Sequence, residues 1–394
     1  MLFAAPDDFE ALVREHKLEF FPLGINARQL LGGGEIGAGM ESGRNPILWV
    51  WRILQAMQPA FERLLENTCL ACRGAEMIVF STMGLSAYHV AEKLGVRCCW
   101  AIPFPAMART RAFPSMVFPR LRLGGTYNLL THILAEQFLH QLTRQFINRW
   151  RKCSHLPAIP FSRWPYSQLH GPLPILFSFS PSVVPKPPDW GENVHITGYW
   201  FLDHTPDWQP PARLVDFIES GPAPVYVGFG SMVHRNPQQT VNLVHEALER
   251  SGQRGVLVAG WSGLAEAHFP RRSPNLLVLD AIPHAWLFPR MAAVVHHAGS
   301  GTTGAGLRAG VPSVLVPYMG DQLFWAQRVT ELDVGPRPIP RRQLTSERLA
   351  AAITSAVTDH GLRARAATMG ERIRAEDGVG RAIEIIERGT ARTS

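Results

Sequence analysis

At 394 residues the chain is long enough for two to three domains of ~150 residues each, and 46% hydrophobic against 18% charged residues excludes a disordered polymer. A net charge of +7 favours anionic partners, but the basic residues form no long block and no zinc-finger spacing, which argues against a dedicated nucleic-acid binder. No apolar run reaches the ~18 residues of a membrane span, and the opening MLFAAPDD is too short and acidic for a signal peptide, so a cytoplasmic protein is expected, with room for peripheral contact at a membrane.

In chain order, Asp7 or Asp8 is placed to cap a helix running to about His16. Gly32-Gly33-Gly34-Glu35-Ile36-Gly37 matches GxGxxG, but Ala27 to Leu31 before it is no buried strand, so it reads as a glycine loop and not a dinucleotide site. Cys69-Leu70-Ala71-Cys72 has no second CxxC to complete a zinc site, and five unevenly spaced cysteines read as reduced thiols. Met77 to Phe80 and Arg97 to Ile102 are predicted strands around a helix that ends at Leu94-Gly95, and a long helix covers about Thr126 to Arg151. The proline-rich Pro181 to Pro188 predicts a stiff linker.

The second half alternates short apolar runs with helical patterns, the signature of βα units on a parallel sheet. Strands are predicted at Val225 to Phe229, Gly255 to Ala259, Asn275 to Leu279, Ala292 to His297 and Val311 to Val316. Asn236-Pro237 opens a helix with Val241, Val244 and Leu248 on one face, and Ser251-Gly252 closes it. This division puts a first domain at 1–185, a linker at 186–194, a second domain at 195–370 and a charged helical tail at 371–394 that packs back on the first domain.

Chemistry gathers at three turns, each just past a predicted strand. In His296-His297-Ala298-Gly299-Ser300-Gly301-Thr302-Thr303 a strand runs into a helix, aiming unpaired backbone N–H groups and the positive helix end at one point. Thr302 and Thr303 add hydroxyl donors and His297 a ring donor, the composition of a phosphate site. Gly228-Phe229-Gly230-Ser231-Met232 is a second small-residue turn, and open α/β sheets bind ligands at such strand ends. Asp321-Gln322 offers fixed acceptors and donors suited to sugar hydroxyls, with Asp321 also placed to cap the next helix.

Together GFGSM, IPHAWLFPRM, VVHHAGSGTTGAGLRAGVPSVLVP and GDQLFWAQRV resemble the GT-B glycosyltransferases that use nucleotide sugars, in the sterol/macrolide glucosyltransferase branch of family 1. ARTRAFPS, LAEQFLHQ and SPSVVPKPPDW resemble that branch's acceptor domain and linker. The resemblance implies an α/β fold of two Rossmann-like, doubly wound domains facing a cleft, with the donor held by the second. By position, Gly230, Ser231, His297, Gly299, Ser300, Gly301, Thr302 and Thr303 would hold the diphosphate; Ile282 and His284 would frame the uracil; Asp321 and Gln322 would hold the sugar. Ala298 and Ser300 stand where glycine and alanine are usual, and Ala305 where the plant branch has a ribose-binding glutamate.

The implied activity is inverting, metal-independent transfer of a hexose, glucose first, from a UDP-sugar to a hydroxyl of a lipophilic acceptor such as a sterol, terpenoid or polyketide. No cofactor is implied beyond the UDP-sugar co-substrate. MLFAAPDDF resembles the family's second strand and following helix, so the first strand and the glycine-rich loop bearing the catalytic base are expected to be missing, leaving open sheet edges and a rate ~10²–10⁴-fold lower. His16, His89, His132 and His140 are the histidines of the first half weighed as replacements, and none carries a distinguishing signal in sequence. The alternative is an impaired or non-catalytic nucleotide-sugar-binding protein that partners an intact transferase; acceptor-dependent release of UDP separates the two.

Overall fold

A computed structural model describes residues 1–27, 61, 63–162, 173–202, 208–230, 237–259 and 274–391. The glycine loop at 32–37, Ser231 and the predicted cap Asn236 lie outside them.

The first half begins with β1 (Leu2–Ala5), α1 (Glu10–Glu15) and β2 (Glu19–Pro22), the two strands pairing in parallel with Leu2 opposite Glu19. Asp7 and Asp8 do not cap α1. A 3-10 turn at Asp7–Phe9 leads into the helix, and the two carboxylates reach forward instead, accepting Gly24 N–H at 3.0 Å and Ala27 N–H at 2.9 Å. They pin the loop that leaves β2. Then come β3 (Met77–Phe80), α2 (Ser86–Leu94), β4 (Arg97–Ile102), the 30-residue α3 (Gly124–Cys153), β5 (Ile175–Phe177) and β6 (Val194–Ile196). Gly95, at φ +65°, closes α2 in the left-handed conformation that glycine takes without a Cβ penalty. Strands β3-β4-β5-β6 form one parallel sheet and β1-β2 a separate one. Among the described residues these six strands form two separate sheets, and Leu2, Phe3 and Val79 are exposed.

In the second half α4 (Ala212–Glu219) precedes β7 (Val225–Gly228), α5 (Pro237–Ser251), β8 (Gly255–Val258), β9 (Leu276–Leu279), α6 (His284–Leu287), β10 (Ala293–His296), α7 (Ser300–Ala309), β11 (Ser313–Leu315) and α8 (Asp321–Glu331). The strands form a five-stranded parallel sheet in the order β11-β10-β7-β8-β9, and β7, β8 and β10 read as continuous apolar runs because helices cover both faces. The chain leaves β7 toward β8 on one side and returns to β10 on the other. Such a reversal opens a crevice at the carboxyl ends of the two strands, where ligands of open sheets bind.

Three helices finish the chain: α9 (Ser346–Thr358), capped by Thr345 accepting Arg348 N–H; α10 (His360–Arg374), capped by Asp359 accepting Leu362 N–H; and α11 (Gly378–Ala391). Ala382, Ile385 and Ile386 of α11 pack on Cys99 and Leu176 of the first sheet, and the Arg97 guanidinium donates to the carbonyl of Gly389. An aromatic core shared by the two halves joins Phe113, Phe177 and Trp190 to Phe324 and Trp325. Between them the Glu376 carboxylate accepts the Ser180 hydroxyl at 2.6 Å, and Arg328 Nε donates to the Val183 carbonyl at 2.5 Å.

Candidate functional site

The register of the second sheet sets His296 of β10 opposite Gly228 of β7, so the turns after both strands meet at the crevice. His296 Nδ1 accepts Ala298 N–H at 3.1 Å and bends the chain sharply. Ala298 sits at φ +65°, fully buried, in the conformation that costs a non-glycine residue roughly 1–2 kcal/mol. This is the position where the resemblance implies glycine, and the strain is what the alanine adds.

The next ring, His297, is wedged between two glycines. A Cβ on Gly230, itself at φ +60°, would lie 2.6 Å from its Cε1, and one on Gly299 would lie 2.5 Å from its Nε2. Both glycines are thus required by the packing of one imidazole. Gly299 is the N-cap residue of α7, whose first two residues, Ser300 and Gly301, line a cleft of about 870 Å³. A Cβ on Gly301 would meet only open space. Burial pulls His284 and His297 each down to about 4, and His296 well below its ordinary value. All three imidazoles are neutral at pH 7, so the pull on an anion comes from backbone N–H groups and the helix end rather than from imidazolium charge.

His284, at the start of α6, lines the same cleft; its ring stacks on Phe288 at 4.3 Å and stands edge-on to Tyr226. The Ile282 side chain is buried in an apolar cluster with Tyr226, Leu287 and Phe288. Asp321 opens α8. Gly320, at φ +63°, takes the cap position, so the aspartate is the first helical residue and not the cap that the sequence predicts. Its carboxylate instead accepts N–H groups of Ser300 and Gln322, which ties α8 to the phosphate-type turn. Burial outweighs these bonds and raises the carboxyl to about 6.

Two expected site residues are turned away. Thr303 is wholly buried on the sheet side of α7, because the fourth residue of the helix has rotated past the cleft, so its hydroxyl does not face the open space. Gln322 is buried too, and its side-chain oxygen accepts Tyr318 N–H at 2.8 Å and Met319 N–H at 3.3 Å, bracing the loop rather than presenting that oxygen to a ligand.

Sequence reasoning missed Arg308, two turns along α7 from Ser300 at helical spacing. It lines the cleft with its guanidinium 4.4 Å over the Phe201 ring. From the first half the cleft is lined by His16, Pro103 and Ser178. The other three histidines weighed there serve the core. His89 lies against Arg151, which forks onto Glu92 at 2.6 and 2.9 Å; His132 and His140 are buried against the carbonyls of Phe113 and Pro160. Cys72, Cys98 and Cys99 are pushed up by burial, to about 11, 12 and 12, which keeps them as protonated thiols.

Residues 265–385 match the family model described as erythromycin biosynthesis protein CIII-like, C-terminal domain. The sterol 3-beta-glucosyltransferase of Cryptococcus neoformans var. neoformans serotype D is 36% identical over 408 residues, an alignment covering 98% of this chain and 25% of the relative. The chain therefore spans about a quarter of the length of that curated relative. The glycotransferase of kitacinnamycin superposes with a TM-score of 0.70 at 20% identity, covering 98% of this chain and 90% of its own. The glycosyltransferase VinC, crystallised with dTDP, superposes at 0.60 and 16% identity over 98% of this chain and 92% of its own.

Proposed function

We propose that the chain, which shares the GT-B fold and is 36% identical to a sterol 3-beta-glucosyltransferase over 98% of its own length, moves a hexose, glucose first, from a UDP-sugar to a hydroxyl of a lipophilic acceptor. The observation that carries this reading is the open N-terminus of α7 at the β7/β10 crevice, with the neutral imidazoles of His284 and His297 beside it. On this reading the Gly301 N–H, the Ser300 hydroxyl, Thr302 and Gly230 would take the diphosphate, His284 and the Ile282 backbone the base, and Asp321 a sugar hydroxyl. Ser231 belongs to the same set by position.

The chemistry is one in-line displacement. The acceptor oxygen bonds to the anomeric carbon on the face opposite the diphosphate, the bond from that carbon to the diphosphate oxygen breaks, and the configuration inverts. Charge then grows on the departing UDP, where fixed backbone donors stabilise it without rearranging, the role a metal ion plays elsewhere. Calorimetry with UDP and UDP-glucose is the direct test. Saturable binding, and glucoside formation undiminished by EDTA, are expected; folded protein that gives no heat with UDP would reject the donor site.

A lipophilic acceptor resides in bilayers, and one surface suits such a source. Leu123, Leu130 and Leu134 follow helical spacing along α3 and are 65%, 51% and 55% exposed. Eight of the chain's basic residues and a single carboxylate, Glu136, lie between Ala106 and Cys153. Exposed apolar side chains on a segment of net positive charge fit an anionic membrane surface. Each leucine contributes roughly 1.5–3 kcal/mol when buried. Leu130→Glu with Leu134→Glu is therefore expected to lower binding to phosphatidylserine vesicles at least ~10-fold in a sedimentation assay, with transfer to a water-soluble alcohol retained.

A further inference from the structure

We infer that His296 is the positioning residue of the diphosphate turn: its Nδ1 locks Ala298 in the left-handed conformation from which α7 starts at the crevice. The inference rests on the transferase reading above and adds to it the side chain that keeps the donor turn in its binding shape.

The lock begins in the sheet. His296 is the last residue of β10, with Gly228 of β7 and Leu315 of β11 on either side, and its carbonyl accepts Val316 N–H at 2.9 Å. Its backbone is therefore held by both neighbouring strands. The ring is wholly buried against α7, with Nε2 4.0 Å from where a Cβ on Gly306 would stand. The other ring nitrogen, Nδ1, takes the Ala298 N–H at 3.1 Å. An N–H only donates, so Nδ1 carries the lone pair and Nε2 the hydrogen of the neutral ring.

A side chain that accepts the N–H two residues on is the device by which asparagine and aspartate close an Asx turn. Here it closes the short reversal between a strand ending at His296 and a helix starting at Ser300. One residue makes that reversal, Ala298 at φ +65°; Gly299 after it is already extended, at φ −62° and ψ 146°. Alanine disfavours the left-handed region, yet its methyl group belongs to the core shared by the two halves, which glycine would leave unfilled. The imidazole bond offsets that strain.

Without it, Ala298 relaxes toward right-handed or extended backbone and carries its neighbours along. Gly299, which packs on the His297 ring, and Ser300, whose N–H meets the Asp321 carboxylate, both follow directly in the chain. The Gly301 N–H and Ser300 hydroxyl proposed for the diphosphate move with them. A bond that served the core alone would tell in stability. A positioning bond tells in ligand affinity, and any group that restores the turn replaces it.

The test measures UDP affinity by calorimetry in the unmodified chain, His296→Leu, His296→Asn, and His296→Leu combined with Ala298→Gly. His296→Leu keeps apolar bulk but has no acceptor, and is expected to bind UDP roughly tenfold more weakly, the population ratio that left-handed strain on one alanine sets. His296→Asn can accept the same N–H and is expected to stay within about threefold, although the cavity it leaves lowers its melting temperature. The double variant is expected to recover to within about threefold, because glycine takes a positive φ unaided. Folded His296→Leu with unchanged UDP affinity, or an equal loss in all three variants, would overturn the lock and leave the transferase reading standing. Nitrogen NMR of the His296 imidazole in the unmodified chain is expected to show hydrogen on Nε2; hydrogen on Nδ1 would overturn the lock whether or not any variant folds. A folded unmodified chain that gives no heat with UDP would overturn the donor reading and the positioning role together.

Discussion

Gly301→Ala is expected to weaken UDP binding roughly 10²–10⁴-fold while leaving the fold as stable as before or slightly more so. The two effects are set by different surroundings of one Cβ. Inside the protein the methyl group meets nothing, since a Cβ built on Gly301 has only open space before it. As a first-turn residue of α7 the position also gains from alanine, by less than the ~1 kcal/mol that separates alanine from glycine in a helix interior. For a chain of this length that is a rise in melting temperature of a degree or two. The open space is where the diphosphate is proposed to lie against the N–H of Gly301 and the hydroxyl of Ser300. A methyl group there pushes the phosphate out of reach of at least two charge-assisted hydrogen bonds, each worth ~1.5–3 kcal/mol. Gly230 and Gly299 behave differently, because a side chain on either strikes the His297 ring, so their substitution harms the fold along with the site. Calorimetry and thermal unfolding of Gly301→Ala separate the two: unchanged UDP affinity with an intact fold would remove the ligand from this turn.

Much of this site is legible in sequence because glycine, proline and apolar runs report on backbone. Strands β7, β8 and β10 are buried on both faces and so stand out as continuous runs, and the turn at 298–301 follows from small residues between a strand and a helix. What sequence does not report is the rotation of a side chain about its helix. Thr302 and Thr303 look equivalent as letters, yet a helical step of ~100° carries the second into the sheet. Gln322 looks like a ligand but braces its own loop, and Asp321 loses the cap position to a glycine with positive φ. The separation of β1-β2 from β3 to β6 depends on pairing between distant segments, which no local pattern encodes. Of the four histidines weighed in the first half, His16 lines the cleft and the core absorbs the other three, a difference of tertiary placement that no local pattern encodes.

Asp321→Asn is expected to stabilise the folded chain at pH 7.5 and to lower kcat/KM about 100-fold. Burial sets the first effect. The carboxyl titrates at about 6 in the fold against an ordinary 3.8, so the folded state holds a proton that the unfolded chain has released across that interval. Stability from this group is present in full below pH 3.8 and is lost as pH rises through 6. Above that range the aspartate weakens the fold by something on the order of 2–3 kcal/mol. Asparagine has the same shape and keeps one oxygen for the Ser300 N–H, but carries no charge to desolvate. Its advantage should therefore grow between pH 4 and pH 7 and then level off. The second effect has the opposite sign because the anion is what a sugar hydroxyl would bond to most strongly, and because it also orients Ser300 at the mouth of α7. A residue kept at a cost to stability at working pH belongs to function more than to folding. Denaturant titrations at pH 4.5 and 7.5 measure the first effect and initial rates of glucoside formation the second. An asparagine variant less stable than the parent at pH 7.5, or one with undiminished transfer, would place Asp321 in the scaffold instead of the sugar site.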